Sequence, residues 1–298
     1  MPVSTSFYTG RLKAFALPLL LSLTLSLSGG AFATDTASEA AVPANAPLQT
    51  QEAIGENPAQ PPAIETQHKI DAQKLQVAKE LTDWLNRTLQ EKQALVAIVG
   101  RNGSAQTRKQ DQTGMGHGGL AVYDPRAQSW LVYNLLNDVR GKAPQGSIWR
   151  TAPLDFFYGQ TGYDKEALIL IPDKTTQQRL YESILNGNYK KLFITRNYNL
   201  LSPPDTARSL NCNKWLLLNV VAARIDNYDP QSVLRAIHNG FAPATLHLNP
   251  IERQFVKGKP TVMPEEVPTF GPIYTITVES LYRSDLFTDK IFYSGKSL

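Results

Sequence analysis

The chain has 298 residues, 42% of them hydrophobic and 19% charged, and its 30 basic side chains against 26 acidic ones give a formal charge of +4. An excess that small, with no dense Lys/Arg face, excludes a nucleic-acid binder that works by phosphate neutralisation. A single cysteine, Cys212, excludes an internal disulfide framework and a cysteine-built structural zinc site.

Arg11 and Lys13 precede an apolar stretch from Ala14 to Leu27 that is too short to span a bilayer, and Ala31-Phe32-Ala33 has the form of a cleavage site. Residues 1–33 therefore read as a secretion signal, and the expected location is periplasmic or secreted from a bacterium. Its removal takes two of the 30 basic residues and leaves 28 against 26. No cysteine lies near the cleavage site, which excludes a lipid-modified lipoprotein. No later apolar run approaches the roughly 20 residues of a transmembrane helix. Residues 34–66, rich in Ala, Pro, Thr, Gln and Glu, cannot bury enough surface to offset ordering entropy and read as a disordered tether. Residues 67–298 are expected to form one α+β domain with an irregular C-terminal extension.

Within that domain, Ile70, Val77, Ala78, Leu81, Trp84, Leu85 and Thr88 share one helical face and predict an amphipathic helix. Ala94 to Val99 predicts a buried strand. A polar loop follows, then a glycine-dense turn, Gly114-Met-Gly-His-Gly-Gly119, which leads into a strand. Gly119–Tyr123 and Trp130–Tyr133 read as an antiparallel pair across Asp124-Pro125, with a short strand at Ile148–Arg150 and an aromatic segment, Leu154–Tyr158, at the edge of the core. Ala167–Ile171 predicts a central strand ended by Pro172, and Lys174–Leu185 a helix stopped at Asn186-Gly187. Leu192–Thr195 reads as a short strand. The segment from Cys212 to Ile225 is apolar almost all round, as in a buried central helix. Gln231–His238 predicts a further helix, and Ile273–Val278 and Lys290–Tyr293 two strands.

Two residues carry the chemistry. Cys212 opens the buried helix behind a cap residue, Asn211, where the positive end of the helix dipole favours thiolate. His117 lies 95 positions upstream in the glycine turn, so that an imidazole on a neighbouring strand completes a nucleophile–base pair if the fold brings the two together. A lone cysteine in an exported chain is otherwise a buried small hydrophobe or an intermolecular bridge. Asn134, at the end of its strand, is the candidate orienter of the imidazole. The Cys212 backbone N–H, assisted by Asn211 or Asn213, is the candidate oxyanion donor. Arg101 and Arg150 are candidate contacts for an anionic substrate, and Asp155 reads as a loop or packing residue. The four histidines, at 68, 117, 238 and 247, have no metal-site spacing, Gly100-Arg-Asn-Gly103 lacks the ending of a phosphate loop, and neither Ser104 nor Ser209 sits in a nucleophile elbow. Neither a metal nor another cofactor is expected.

The order of a histidine-headed strand, as in His117-Gly-Gly-Leu-Ala-Val122, followed by a cysteine-headed helix resembles the circularly permuted papain-like fold of NlpC-related proteins, a group with YiiX-type hydrolases and lecithin retinol acyltransferase. More closely, Arg101 with His117-Gly-Gly-Leu-Ala121, Pro153-Leu-Asp-Phe-Phe157, Asn211-Cys-Asn-Lys-Trp215 and Asn239-Gly-Phe-Ala-Pro243 resemble a secreted bacterial family, domain of unknown function 2145. The resemblance implies a permuted papain-like (NlpC-type) domain, an antiparallel sheet packed against a buried Cys-bearing helix, and it implies the Cys212–His117 pair. Asn134 would stand where YiiX-type proteins often have a carboxylate.

Two functions follow as expectations. One is an exported cysteine hydrolase or acyltransferase acting on an amide, ester or thioester of a small-molecule or peptide substrate, with peptidoglycan peptide the natural periplasmic candidate. The other is a non-catalytic binding or scaffold module on the same fold, with the thiol buried and inert.

Overall fold

A computed structural model describes residues 71–103, 113–138, 144–160 and 162–295. The expected signal, the tether and most of the basic loop after Gly103 lie outside the described residues. Helix α1 (Ala72–Glu91) starts at Asp71, whose carboxylate accepts from the Lys74 amide, and it buries Val77, Ala78, Leu81, Trp84, Leu85 and Leu89, nearly the face its periodicity predicts.

Six strands, β1 (Val96–Asn102), β2 (Met115–Asp124), β3 (Ser129–Asp138), β4 (Gln145–Thr151), β5 (Glu166–Ile171) and β8 (Asp289–Ser294), form one antiparallel sheet in the order β4-β3-β2-β1-β5-β8. Alternation along the strands supplies two apolar faces. Val96, Ile98, Leu120, Val122, Leu168 and Leu170 look one way, while Ala97, Val99, Ala121, Val132, Ile169 and Ile171 look the other. The second face is covered by α1 and the short helix α2 (Pro153–Tyr158). The first is covered by α3 (Lys174–Leu185), α4 (Cys212–Ile225) and α5 (Pro230–Gly240). Every residue of α4 from Cys212 to Ala223 is buried, as an all-round apolar helix must be. The architecture is α+β, with an antiparallel sheet between helical layers.

One segment without a predicted secondary structure gains one, and three expectations are corrected. The aromatic segment after Ala152 is a helix, begun by Pro153 at its first position, where a missing N–H costs nothing. In place of a strand at 192–195 there is a 3-10 turn, Asn188–Leu192, whose buried Tyr189 and Leu192 sit three apart, the repeat of that turn. The C-terminal part is ordered, with the hairpin β6 (Ala244–Leu246) and β7 (Ile273–Thr275), and helices α6 (Pro250–Lys257) and α7 (Val278–Arg283). Both helices start on capping boxes, Asn249 with Glu252 and Thr277 with Ser280. The strand expected to reach Val278 stops at Thr275 because Thr277 caps α7.

The glycine turn is itself part of a strand. β2 begins at Met115, and His117 lies opposite Arg101 of β1 just before a register shift at Arg101/Asn102.

Candidate functional site

Cys212 sits at the start of α4 behind Asn211. The Asn211 Oδ1 accepts from the Lys214 amide at 2.7 Å, while its Nδ2 donates to the carbonyl oxygens of Leu200 and Ile276 and to Thr275 Oγ1 at 3.0–3.3 Å. These bonds tie the helix start to Leu200 and to the chain at Thr275 and Ile276, which is the work of a cap. Asn211→Ala should lower the unfolding free energy by about 2 kcal/mol. A urea melt showing less than about 0.5 kcal/mol would refute the cap's role.

The thiol is free and 4% exposed. Backbone N–H groups of Gly118, Asn213 and Cys212 itself reach its sulfur, the Tyr198 side chain hydrogen-bonds it, and the Arg101 charge acts on it. The three N–H donors and Arg101 favour thiolate. Burial outweighs them and pushes the Cys212 pKa above its ordinary value. The helix start favours thiolate, as expected, but burial of the sulfur outweighs it and favours the protonated thiol.

His117 precedes Gly118, whose N–H reaches the Cys212 sulfur, but the two positions face opposite ways. A Gly118 Cβ would meet Leu216 and Asn213 of α4, whereas the His117 ring turns toward α2. That ring leans on Phe156 of α2, with centroids 5.8 Å apart, and burial together with the Arg101 charge lowers its pKa to about 3. Asn134 hydrogen-bonds the ring and opposes that shift. The Asn134 Nδ2 points to the Val132 and Trp149 carbonyls and Thr151 Oγ1 at 3.3–3.4 Å, which leaves its oxygen as the group to face an imidazole N–H. The ring's Nε2 is buried with no hydrogen bond of good geometry. Asn213 carries a second such atom, its Oδ1, which lies 3.0 Å from where a Gly118 Cβ would stand.

Close approach is what the glycines permit. A Cβ on Gly118 would meet Leu216 Cδ1 at 2.7 Å, and one on Gly116 would meet the Gly103 Cα at 2.4 Å. Arg101 stacks on Phe156 with its guanidinium 5.0 Å from the ring centre and donates to the Phe156 carbonyl. Burial lowers its pKa to about 10. It stays charged, close enough to act on both Cys212 and His117. Arg150 is engaged elsewhere, hydrogen-bonded to the Tyr133 side chain. Asp155 lies in the first turn of α2.

His117, bonded by Asn134, and Arg101 gather at Phe156, while Cys212 and Asn213 head α4, where the same Arg101 charge acts on the sulfur. Arg150 is bonded to Tyr133, and Asn211 caps α4. Tyr198 and Phe156 were missed. Tyr198 comes from a non-repetitive loop tied to the site through a bridge to Leu210, which leaves no periodic signal. Phe156 belongs to a visible aromatic segment, but its partner His117 is 39 positions away in sequence. Among the described residues, no cluster of three or more His, Cys, Asp or Glu residues is arranged to hold a metal ion, and no helix is long and apolar enough to cross a membrane.

Residues 88–283 match the model of DUF2145, described as an uncharacterized protein conserved in bacteria. The chain belongs to the DUF2145 family. The matched stretch holds Arg101, His117, Asn134, Cys212 and Asn213, whereas β8 and most of α1 lie outside it. No curated protein and no solved structure matches the chain.

Proposed function

We propose that this DUF2145 protein is an exported cysteine hydrolase or acyltransferase on a permuted papain-like (NlpC-type) domain, with Cys212 as nucleophile, His117 as base and Asn134 as orienter. The observation that supports the reading is a thiol at the head of α4 that takes three backbone N–H bonds, one of them from Gly118, the residue that follows an asparagine-bonded imidazole in β2. The sulfur attacks an acyl carbon while its proton passes to His117. The acyl bond to the leaving group breaks, the imidazolium protonates that group, and water or another acceptor resolves the thioester. Backbone donors and the Tyr198 hydroxyl are available to the oxyanion of the tetrahedral intermediate.

A neutral resting pair fits a site that ionises only once substrate fills it, with Arg101 favouring the thiolate. Small amides, esters or peptide ends are the matching substrates, cell-wall peptide among them by analogy with NlpC-type amidases.

A second reading, a non-catalytic envelope module, is favoured by the 4% exposure of Cys212 and its raised pKa. Iodoacetamide labelling of the native mature protein between pH 5 and 9 separates the two. The hydrolase reading expects native labelling that slows at least tenfold in His117→Ala. A thiol that reacts only after denaturation, or one indifferent to His117, rejects it.

A further inference from the structure

Arg101 lies partly beneath the surface, with some of its side chain still open to solvent. Among the described residues no carboxylate pairs with it. Its guanidinium rests on the Phe156 ring, and Nη1 donates to the Phe156 carbonyl. That carbonyl belongs to the last turn of α2, where the helix supplies no donor, so this one N–H serves as a cap. A guanidinium has five N–H groups, and the cap takes one of them.

The remaining groups have a definite direction. Gly159 closes the Nη1 side, where an added Cβ would overlap that nitrogen. Nε and Nη2 bond to none of the described residues. Neither is sealed from water, unlike the Nε2 of His117, the residue opposite Arg101 across β1 and β2. The free edge is therefore the one that carries Nε–H and an Nη2–H side by side.

The charge on that edge is also unanswered. Burial lowers the Arg101 pKa to about 10, and the one opposite charge that would favour the guanidinium is a Cys212 thiolate, whose formation burial opposes. A half-dry cation without a counter-ion is a costly arrangement. Lys74 is the next cation, its pKa lowered by burial and by Arg101, and the Asp71 carboxylate answers it. One uncompensated positive charge remains.

We infer that Arg101 binds a carboxylate, whose two oxygens accept from Nε–H and Nη2–H where β1 meets α2. Planar two-point pairing of this kind is the geometry a guanidinium offers and a lysine cannot. A phosphate dianion is disfavoured, because only one positive charge is free to meet it. The inference does not rest on the hydrolase reading, since binding is read at Arg101 itself whether or not Cys212 reacts.

The probe is sodium acetate, titrated into isotope-labelled mature protein and followed by NMR at the Arg101 Nε–H resonance, which Arg101→Lys identifies by its loss. Acetamide and sodium chloride at equal concentration are the controls. A saturable shift is expected with acetate, at least tenfold tighter than any response to either control. In Arg101→Lys, which keeps the charge and lacks the fork, acetate-induced shifts of neighbouring backbone amides should weaken at least tenfold. If that variant does not fold, the Nε–H titration of the parent protein decides alone. An Nε–H that stays still up to about 100 mM acetate, an equal response to acetamide or chloride, tighter binding of inorganic phosphate, or amide shifts that persist in Arg101→Lys would each overturn the proposal.

Discussion

Gly116→Ala should lower the unfolding free energy by about 3 kcal/mol, although the position is solvent-exposed and one residue away from the candidate base. A Cβ there would lie 2.4 Å from the Gly103 Cα and 3.2 Å from its nitrogen. Both are backbone atoms, so no side-chain rotation relieves the overlap. The Gly103 amide is also fixed, donating to the Gly114 carbonyl at 3.0 Å, and Asn102 is in register with Met115. Either the end of β1 or the start of β2 has to move, and His117 moves with it. Gly240→Ala is the control, because a Cβ at that position meets nothing within 4 Å. Urea unfolding of both variants, with the slope unchanged, checks the prediction. Losses of equal size would show that the glycine at 116 is dispensable. The same variant should also lose His117-dependent labelling of Cys212, since the imidazole and the Gly118 N–H share the displaced segment.

The second large effect is acid sensitivity centred on His117. Its folded pKa of about 3 lies below the ordinary 6.5 because burial and Arg101 oppose the charged ring. In the unfolded chain the ring gains a proton as pH falls through 6.5, while the folded ring stays neutral until about pH 3. Protons therefore bind the unfolded state preferentially in that window. The stability present above pH 6.5 is lost progressively as pH falls toward 3. The contribution reaches up to about 3 kcal/mol by pH 4, reduced by the water a half-buried ring retains. In His117→Gln the slope of stability against pH between 6.5 and 4 should flatten by one proton. If denaturant midpoints of the two proteins fall in parallel over that window, the ring is not held neutral by its surroundings. The proposed function needs a neutral His117 to take a proton, so this slope and the labelling experiment test connected properties.

Much of the scaffold was legible because period and burial coincide. α1, β1, β5, α3 and α4 each carry an apolar pattern that a single packing face or an all-round core demands, and the structure has them within a few residues of their predicted limits. The misses share a cause. α6 and α7 are 8 and 6 residues long, too short for a repeat to stand out. The turn at Asn188–Leu192 buries two side chains that also suit a short strand. Joining β8 to β5 required knowing which sheet edge was open, a property no local segment contains.

The candidate site divides along the same line. By itself the amino-acid sequence determined which residue types were available: one thiol at a capped helix start, one histidine among glycines, an asparagine at a strand end. Tertiary structure alone decided their state. Gly118 presents its N–H to sulfur, Asn134 reaches the ring, Arg101 charges the surroundings, and burial favours the neutral forms of both Cys212 and His117. The reason is physical: helix and strand periodicity depend on neighbours within a few positions, whereas desolvation and Coulomb interaction depend on every group that packing brings within several ångströms, however distant in the chain.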